Sequence, residues 1–205
     1  MAKNARAESD TSTEEKIKKA AHVVFKRKGF AATRTRDIAD EAGFNLALLN
    51  YYFRSKEKLF DIVMKESIQQ FLKGIAGILN NTALSLTEKV SLVAENYTDM
   101  LSANPDLPLF ILSEIKANPE KLALDLNFKE IIMRSHLFEQ IQEATGKTIN
   151  PIHFIINIIS LTVFPFVASP LLRVIGDLNP QDFNSLVEDR KKLIPVWIET
   201  MLKAH

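Results

Sequence analysis

A chain of 205 residues, 46% apolar and 25% charged, has the size and composition of one globular domain or of a small domain joined to a larger one. It has no cysteine, which excludes disulfides, thiolate metal sites and a cysteine nucleophile, and this suits a cytoplasmic location. The net charge of +1 hides an asymmetry: residues 1–65 carry 14 Lys/Arg against 9 Asp/Glu, and residues 66–205 carry 12 against 16. A basic N-terminal third on an acidic remainder fits a polyanion-facing module on a separate body.

The opening MAKNARAESDTS is small and polar, so residues 1–12 are expected to form a flexible arm and not a secretory signal. Ser12 and Glu15 have capping-box spacing, and Ile17, Ala20, Ala21, Val24 and Phe25 fall at i, i+3, i+4, i+7 and i+8 of a first helix. The basic run at 26–28 suits the helix C-terminus, Gly29 supplies a left-handed residue beyond it, and Phe30 folds back as its apolar partner. A short second helix is expected from a cap at Thr33 or Thr35 to Gly43, and a third from the N-cap Asn45 to about Tyr52. Ser55 caps a fourth, carried toward Asn80 by Leu59/Phe60, Val63/Met64 and Phe71/Leu72.

Helices continue to the end of the chain. One is expected from a cap at Thr87, one after the NPDLP break and one over 128–144. A further helix opens at Asn150-Pro151, and the last covers 183–202. Residues 148–172 carry no charge and are long enough to cross a bilayer. Asn150, Asn157, Pro165 and Pro170 interrupt them and no basic cluster flanks them, so a buried or interface helix is expected and no membrane partner. The fold class is all-α: a three-helix head, residues 13–60, on a larger helical body, residues 61–205.

Two short helices joined by a glycine turn make a helix-turn-helix. Ala39, Gly43 and Leu49 stand at relative positions 5, 9 and 15: a small residue for close approach, a glycine for the turn and an aliphatic for the core between the helices. With Leu49 and Phe53 inward, Leu46, Ala47, Asn50 and Tyr51 face outward. Apolar and aromatic groups beside cations suit thymine methyls and the sugar–phosphate edge of the major groove.

On AAHVVFKRKGF, TRTRDIADEAGF and LLNYYFRSKEKLF, residues 14–60 resemble the DNA-binding domain of TetR-family transcriptional regulators, over about a quarter of the chain. The resemblance implies a homodimer that binds double-stranded DNA at a pseudo-palindromic operator, represses, and is released by a small effector. Carried over by position, it implies DNA contacts at Arg36, Leu46, Ala47, Leu48, Tyr51, Tyr52 and Lys56; the expected set is completed by Arg34, which replaces a frequent Ser/Thr cap and adds a phosphate contact, by the cap residue Asn45 and by Asn50. Ala47 replaces a frequent glycine. Asn50 replaces a usual tyrosine and offers an amide able to pair with adenine. Arg54 and Lys58 are read as solvated surface charges.

In the body, Met100, Phe110, Phe128, Met133 and Phe154 are expected to line a largely apolar pocket, with Tyr97, His136 and Asn157 orienting the effector. Burial of the uncharged helix and the last helix against their two-fold copies places Phe164, Val167, Leu171, Ile194 and Ile198 in a dimer interface. His22, His136, His153 and His205 have no partner at metal-ligand spacing, and there is no phosphate loop or nucleophile elbow. No catalytic residue, cofactor or metal is expected. Two alternatives stand beside this reading: a TetR-like protein controlled by a protein partner or by no ligand, and a helical enzyme or membrane-associated protein that has kept the head.

Overall fold

The computed structural model describes residues 2–146 and 148–203, with side chains from Ser12 onward, and among these every regular element is helical. The chain divides into two compact units, the first ending at Ile68 and the second starting at Gln69.

The first unit contains α1 (Ala2–Ala32), α2 (Thr35–Ala42), α3 (Leu46–Phe53) and the start of α4 (Lys56–Asn80). The helix start expected at Ser12 is not one. No glycine or proline stands between Ala2 and Ser12, and α1 runs through from Ala2. The expected arm over 1–12 therefore falls on the beginning of α1; Met1 lies outside the described residues. At Gly29 the backbone leaves the helical region at φ 75° and ψ 163°, a conformation glycine adopts without a Cβ clash. Phe30 then folds onto Phe25 and Phe60, with ring centroids 6.1 and 4.5 Å apart.

All five apolar positions of the α1 pattern are buried, as are Ile38 and Ala39 of α2, Leu49 and Phe53 of α3, and Leu59, Phe60, Val63 and Met64 of α4; α1 packs on α2, and Phe25 meets Phe60 with ring centroids 5.1 Å apart. The start of α2 differs from expectation, because neither Thr33 nor Thr35 is its cap. Arg34 is, and its backbone N–H donates to the Asp37 carboxylate at 3.0 Å. Thr33 instead donates its hydroxyl to the Gly29 carbonyl at 2.7 Å. Gly43 closes α2 in the left-handed region at φ 71°.

The second unit holds the rest of α4, then α5 (Leu86–Ala103), α6 (Leu107–Ala117), α7 (Pro119–Asp125), a π-helical turn (Lys129–Met133), α8 (His136–Ala144), α9 (Ile152–Val167), α10 (Ser169–Ile175) and α11 (Pro180–Lys203). Its core joins Ile75 and Leu79 of α4, Val90, Val93 and Ala94 of α5, and Leu137 and Ile141 of α8 to Phe154 and Ile158 of α9 and Ile194, Ile198 and Leu202 of α11. The cap of α5 is Ser85 and not Thr87. Ser85 and Glu88 exchange hydrogen bonds across the S-x-x-E spacing, with Ser85 N–H donating at 2.8 Å and Glu88 N–H at 3.3 Å. The single helix expected over 128–144 is broken where Ser135 caps α8, its hydroxyl accepting from Phe138 N–H at 3.2 Å.

The uncharged segment is bent as well, α10 turning 67° from α9. Among the described residues no single helix is long and apolar enough to cross a membrane, although that bent pair is, by length and composition. Within α9, Pro165 has no N–H to give the Leu161 carbonyl four residues back. Arg190 of α11 supplies the missing donors, through Nε at 3.1 Å and Nη2 at 2.8 Å. The same guanidinium lies 5.0 Å from the centre of the Trp197 ring.

Candidate nucleic-acid interface

α3 is eight residues long, and its placement follows from local chemistry. Asn45 caps it, the side-chain oxygen accepting from Leu48 N–H at 2.8 Å. Leu49 and Phe53 are 0% and 1% exposed and fix which face turns inward. Ala47, Asn50 and Tyr51 are therefore outward, Tyr51 at 76% exposed, while Leu46, Leu48 and Tyr52 are half-buried along the flanks. Tyr51 and Tyr52 meet edge to face with centroids 5.2 Å apart, a contact that fixes both rings beside the exposed surface.

The cations of this unit fall into two groups. Lys18 pairs with Glu66 at 2.6 Å, Arg27 with Glu41 at 3.0 Å and Lys28 with Asp37 at 3.0 Å, so these charges are balanced within the chain. Arg36, on exposed α2 surface, and Arg54, at the end of α3, have no such partner among the described residues. Arg34 is exposed at the α2 cap, where its N–H and the Lys28 ammonium hold the Asp37 carboxyl below its ordinary range. An apolar and amide-bearing helix face, in a unit that also exposes unpaired guanidinium groups on α2 and at the end of α3, is suited to a groove edged by phosphates.

Lys56, expected to contact DNA, also makes contacts within the head. Its ammonium donates to the Phe30 and Thr33 carbonyls, each at 3.0 Å, and sits 4.2 Å from the Phe30 ring centre. Two of its three N–H bonds thus tie the α1–α2 connection to the start of α4, and one is left to point elsewhere.

The expected effector residues do not share one environment. Phe154 is in the core, Phe110 is buried, and Met133 is exposed. His136 accepts at Nδ1 from the buried Lys89 ammonium, 2.7 Å away, which also donates to Gln140 at 2.9 Å. Burial holds Lys89 below its ordinary pKa. Asn157 donates to the Met201 sulfur at 3.4 Å. Tyr97 stacks on Phe71 with centroids 4.9 Å apart, and burial pushes its phenol up to about 12. Met100 and Phe128 are half-buried. An open groove of about 430 Å³ lies elsewhere, along α11, lined by Asp182, Ser185, Leu186, Asp189, Arg190 and Leu193.

Of the expected interface residues, Phe164 and Leu171 are 63% and 61% exposed and Val167 is half-buried. Ile194 and Ile198 require correction. At 0% and 1% exposed they belong to the chain's own core, because the face of α11 that carries them packs on α5 and α9. The outward apolar residues of α11 are Leu193, Val196 and Met201, which sequence periodicity did not separate from the inward set.

Residues 17–63 match the bacterial regulatory proteins of the tetR family. The chain is 24% identical over 203 residues to a probable HTH-type transcriptional regulator, YttP, of Bacillus subtilis, covering 94% of this chain and 95% of that one. A TetR/AcrR-family transcriptional regulator from Thermobifida fusca superposes with a TM-score of 0.62 at 22% identity, covering 89% and 96% of the two chains. The transcriptional regulator FadR of Bacillus subtilis, solved in complex with stearoyl-CoA, gives 0.53 at 18% identity and covers 88% and 96%.

Proposed function

Because the chain is a TetR-family, DNA-binding transcriptional regulator, we propose that it binds a pseudo-palindromic operator as a homodimer, represses from it, and is released by a small, largely apolar effector. The observation that carries the DNA contact is the outward face of α3, where Ala47, Asn50 and Tyr51 are exposed and Arg54 follows at the helix end. Ala47 and Leu46 meet base methyls, Asn50 reads an adenine edge, and Arg34, Arg36 and the tyrosines hold the backbone. A protein seated there blocks other proteins from the same duplex, which supports repression. The site of action is the cytoplasm.

The homodimer is supported by the apolar surface that one chain leaves uncovered. Ile152, Ile156, Ile159 and Phe164 on α9, Leu171, Val174 and Ile175 on α10, and Leu193, Val196 and Met201 on α11 are all exposed. A patch of this kind is normally closed by a partner, and a two-fold copy closes it with one interface. A dimer brings two copies of α3 to one duplex, whose successive turns on one groove face lie about 34 Å apart. Effector control is supported by the stearoyl-CoA bound to FadR, a relative in fold.

Selecting genomic fragments with the full-length protein tests this reading. Enriched fragments sharing a two-fold-symmetric site are expected, with affinity that falls as salt rises; no enrichment contradicts it. Stearoyl-CoA is the first effector to try, since a ligand at a hundred times its Kd raises stability by about 2.7 kcal/mol. An unchanged melting curve with a series of acyl-CoA chains favours the second reading, control without a small ligand.

A further inference from the structure

We propose that Arg54 is a phosphate contact of the DNA interface, held outward by a strained turn at the foot of α3. The proposal rests on the reading of α3 as the helix that enters the groove. Arg54 adopts φ 56° and ψ −39°, and Ser55 N–H donates back to the Phe53 carbonyl at 2.5 Å. A hydrogen bond spanning one residue with positive φ at its centre is a γ-turn of the rare, strained hand, a place where glycine carries no penalty. An arginine there loses stability that glycine would keep, so the side chain has another use.

The surroundings hold the turn in place. Phe53 on one side is 1% exposed and Leu59 on the other 0%, and the Arg54 N–H completes α3 by donating to the Asn50 carbonyl at 3.0 Å. Anchored at both ends, the residue projects from the surface. Ala47, Asn50 and Tyr51 are exposed along α3 and Arg54 is exposed directly after its last residue, so the guanidinium leaves the surface at the end of the helix that carries the outward face. Its guanidinium has no ion pair or hydrogen bond among the described residues, unlike Arg27 and Lys28 of α1, which pair with Glu41 and Asp37. Arginine presents a planar set of donors that two phosphate oxygens accept together.

The test compares wild type, Arg54→Gly and Arg54→Lys as full-length proteins on the duplex that the wild type selects. Arg54→Gly is expected to melt at or above the wild type, since the strain is gone, yet to bind about eightfold more weakly in 0.1 M salt with a log–log salt slope smaller by about 0.9. Arg54→Lys keeps the slope. Wild-type affinity and slope in Arg54→Gly would overturn the proposal alone, and a melting point below wild type would overturn the strained-turn part of it. A wild type that binds no duplex would overturn the reading of α3 and the proposal with it.

Discussion

Two of the three N–H bonds of Lys56 end on backbone carbonyls of the α1–α2 connection, so its removal strikes the head before it strikes any DNA contact. Hydrogen bonds from charged donors are worth about 1.5–3 kcal/mol each when buried, and this half-buried pair stands near the lower end. Lys56→Ala is expected to cost about 2 kcal/mol in thermal or urea unfolding. Unchanged stability with a smaller salt slope would instead give Lys56 a phosphate role alone. Asp37 adds a pH dependence. Hydrogen bonds from Arg34 N–H and from Lys28 hold its carboxyl below the ordinary 3.8. Its stabilising effect is therefore complete above that value and is lost as pH falls through the lower, folded one. Acid melting curves should separate wild type from Asp37→Asn near neutral pH and converge at the acid end; parallel curves would refute this. Asn50→Ala is expected to relax preference at one base pair per half-site, by about 1–3 kcal/mol, when binding to a randomised operator library is sequenced.

At the scale of the element, Leu161, Pro165 and Arg190 form one unit split between α9 and α11. Arg190→Ala leaves the Leu161 carbonyl without a donor and should cost about 2 kcal/mol. Pro165→Ala restores the helical N–H, so the Arg190 truncation should cost clearly less in that background. Additive effects in the double-mutant cycle would show that Arg190 acts only through Trp197. No pattern of period 3.6 announces such a pairing, since its partners lie 29 residues apart. What the sequence made legible was local. Asn45 and Ser55 were readable as caps because each bonds within three residues, and Ala39, Gly43 and Leu49 fixed the head because their spacing is set by one turn. Thr87 was misread because Ser85 offers the same chemistry two residues earlier with the better-placed Glu88. The bend after Val167 was missed because lack of charge looks the same in a straight helix and a broken one.

At the scale of the whole molecule, the sequence implied two apolar helices seeking a partner but could not say which face of α11 belongs to the chain's own core. That choice depends on where α5 and α9 lie, which is non-local. It separates two substitutions two residues apart. Val196→Glu, at a position 56% exposed, is expected to give a folded monomer with weakened DNA binding. Ile198→Glu, at 1% exposed, buries an unpaired charge and should destabilise the body itself by about 4 kcal/mol or more. Sedimentation with circular dichroism distinguishes the two; a dimeric Val196→Glu would remove this face from the interface. The effector residues were the least legible, since a pocket gathers side chains from distant helices and Phe154 reads the same in a core as in a cavity wall.

The most direct measurement is the stoichiometry and salt dependence of the wild-type protein on the symmetric duplex recovered from its source genome, read by native mass spectrometry and by titration. The expected result is two chains on one duplex, with log affinity falling linearly against log salt at a slope set by several phosphate contacts, each contributing about 0.9. One chain per duplex, or an affinity indifferent to salt, would contradict a dimer that grips the DNA backbone and reads it through α3.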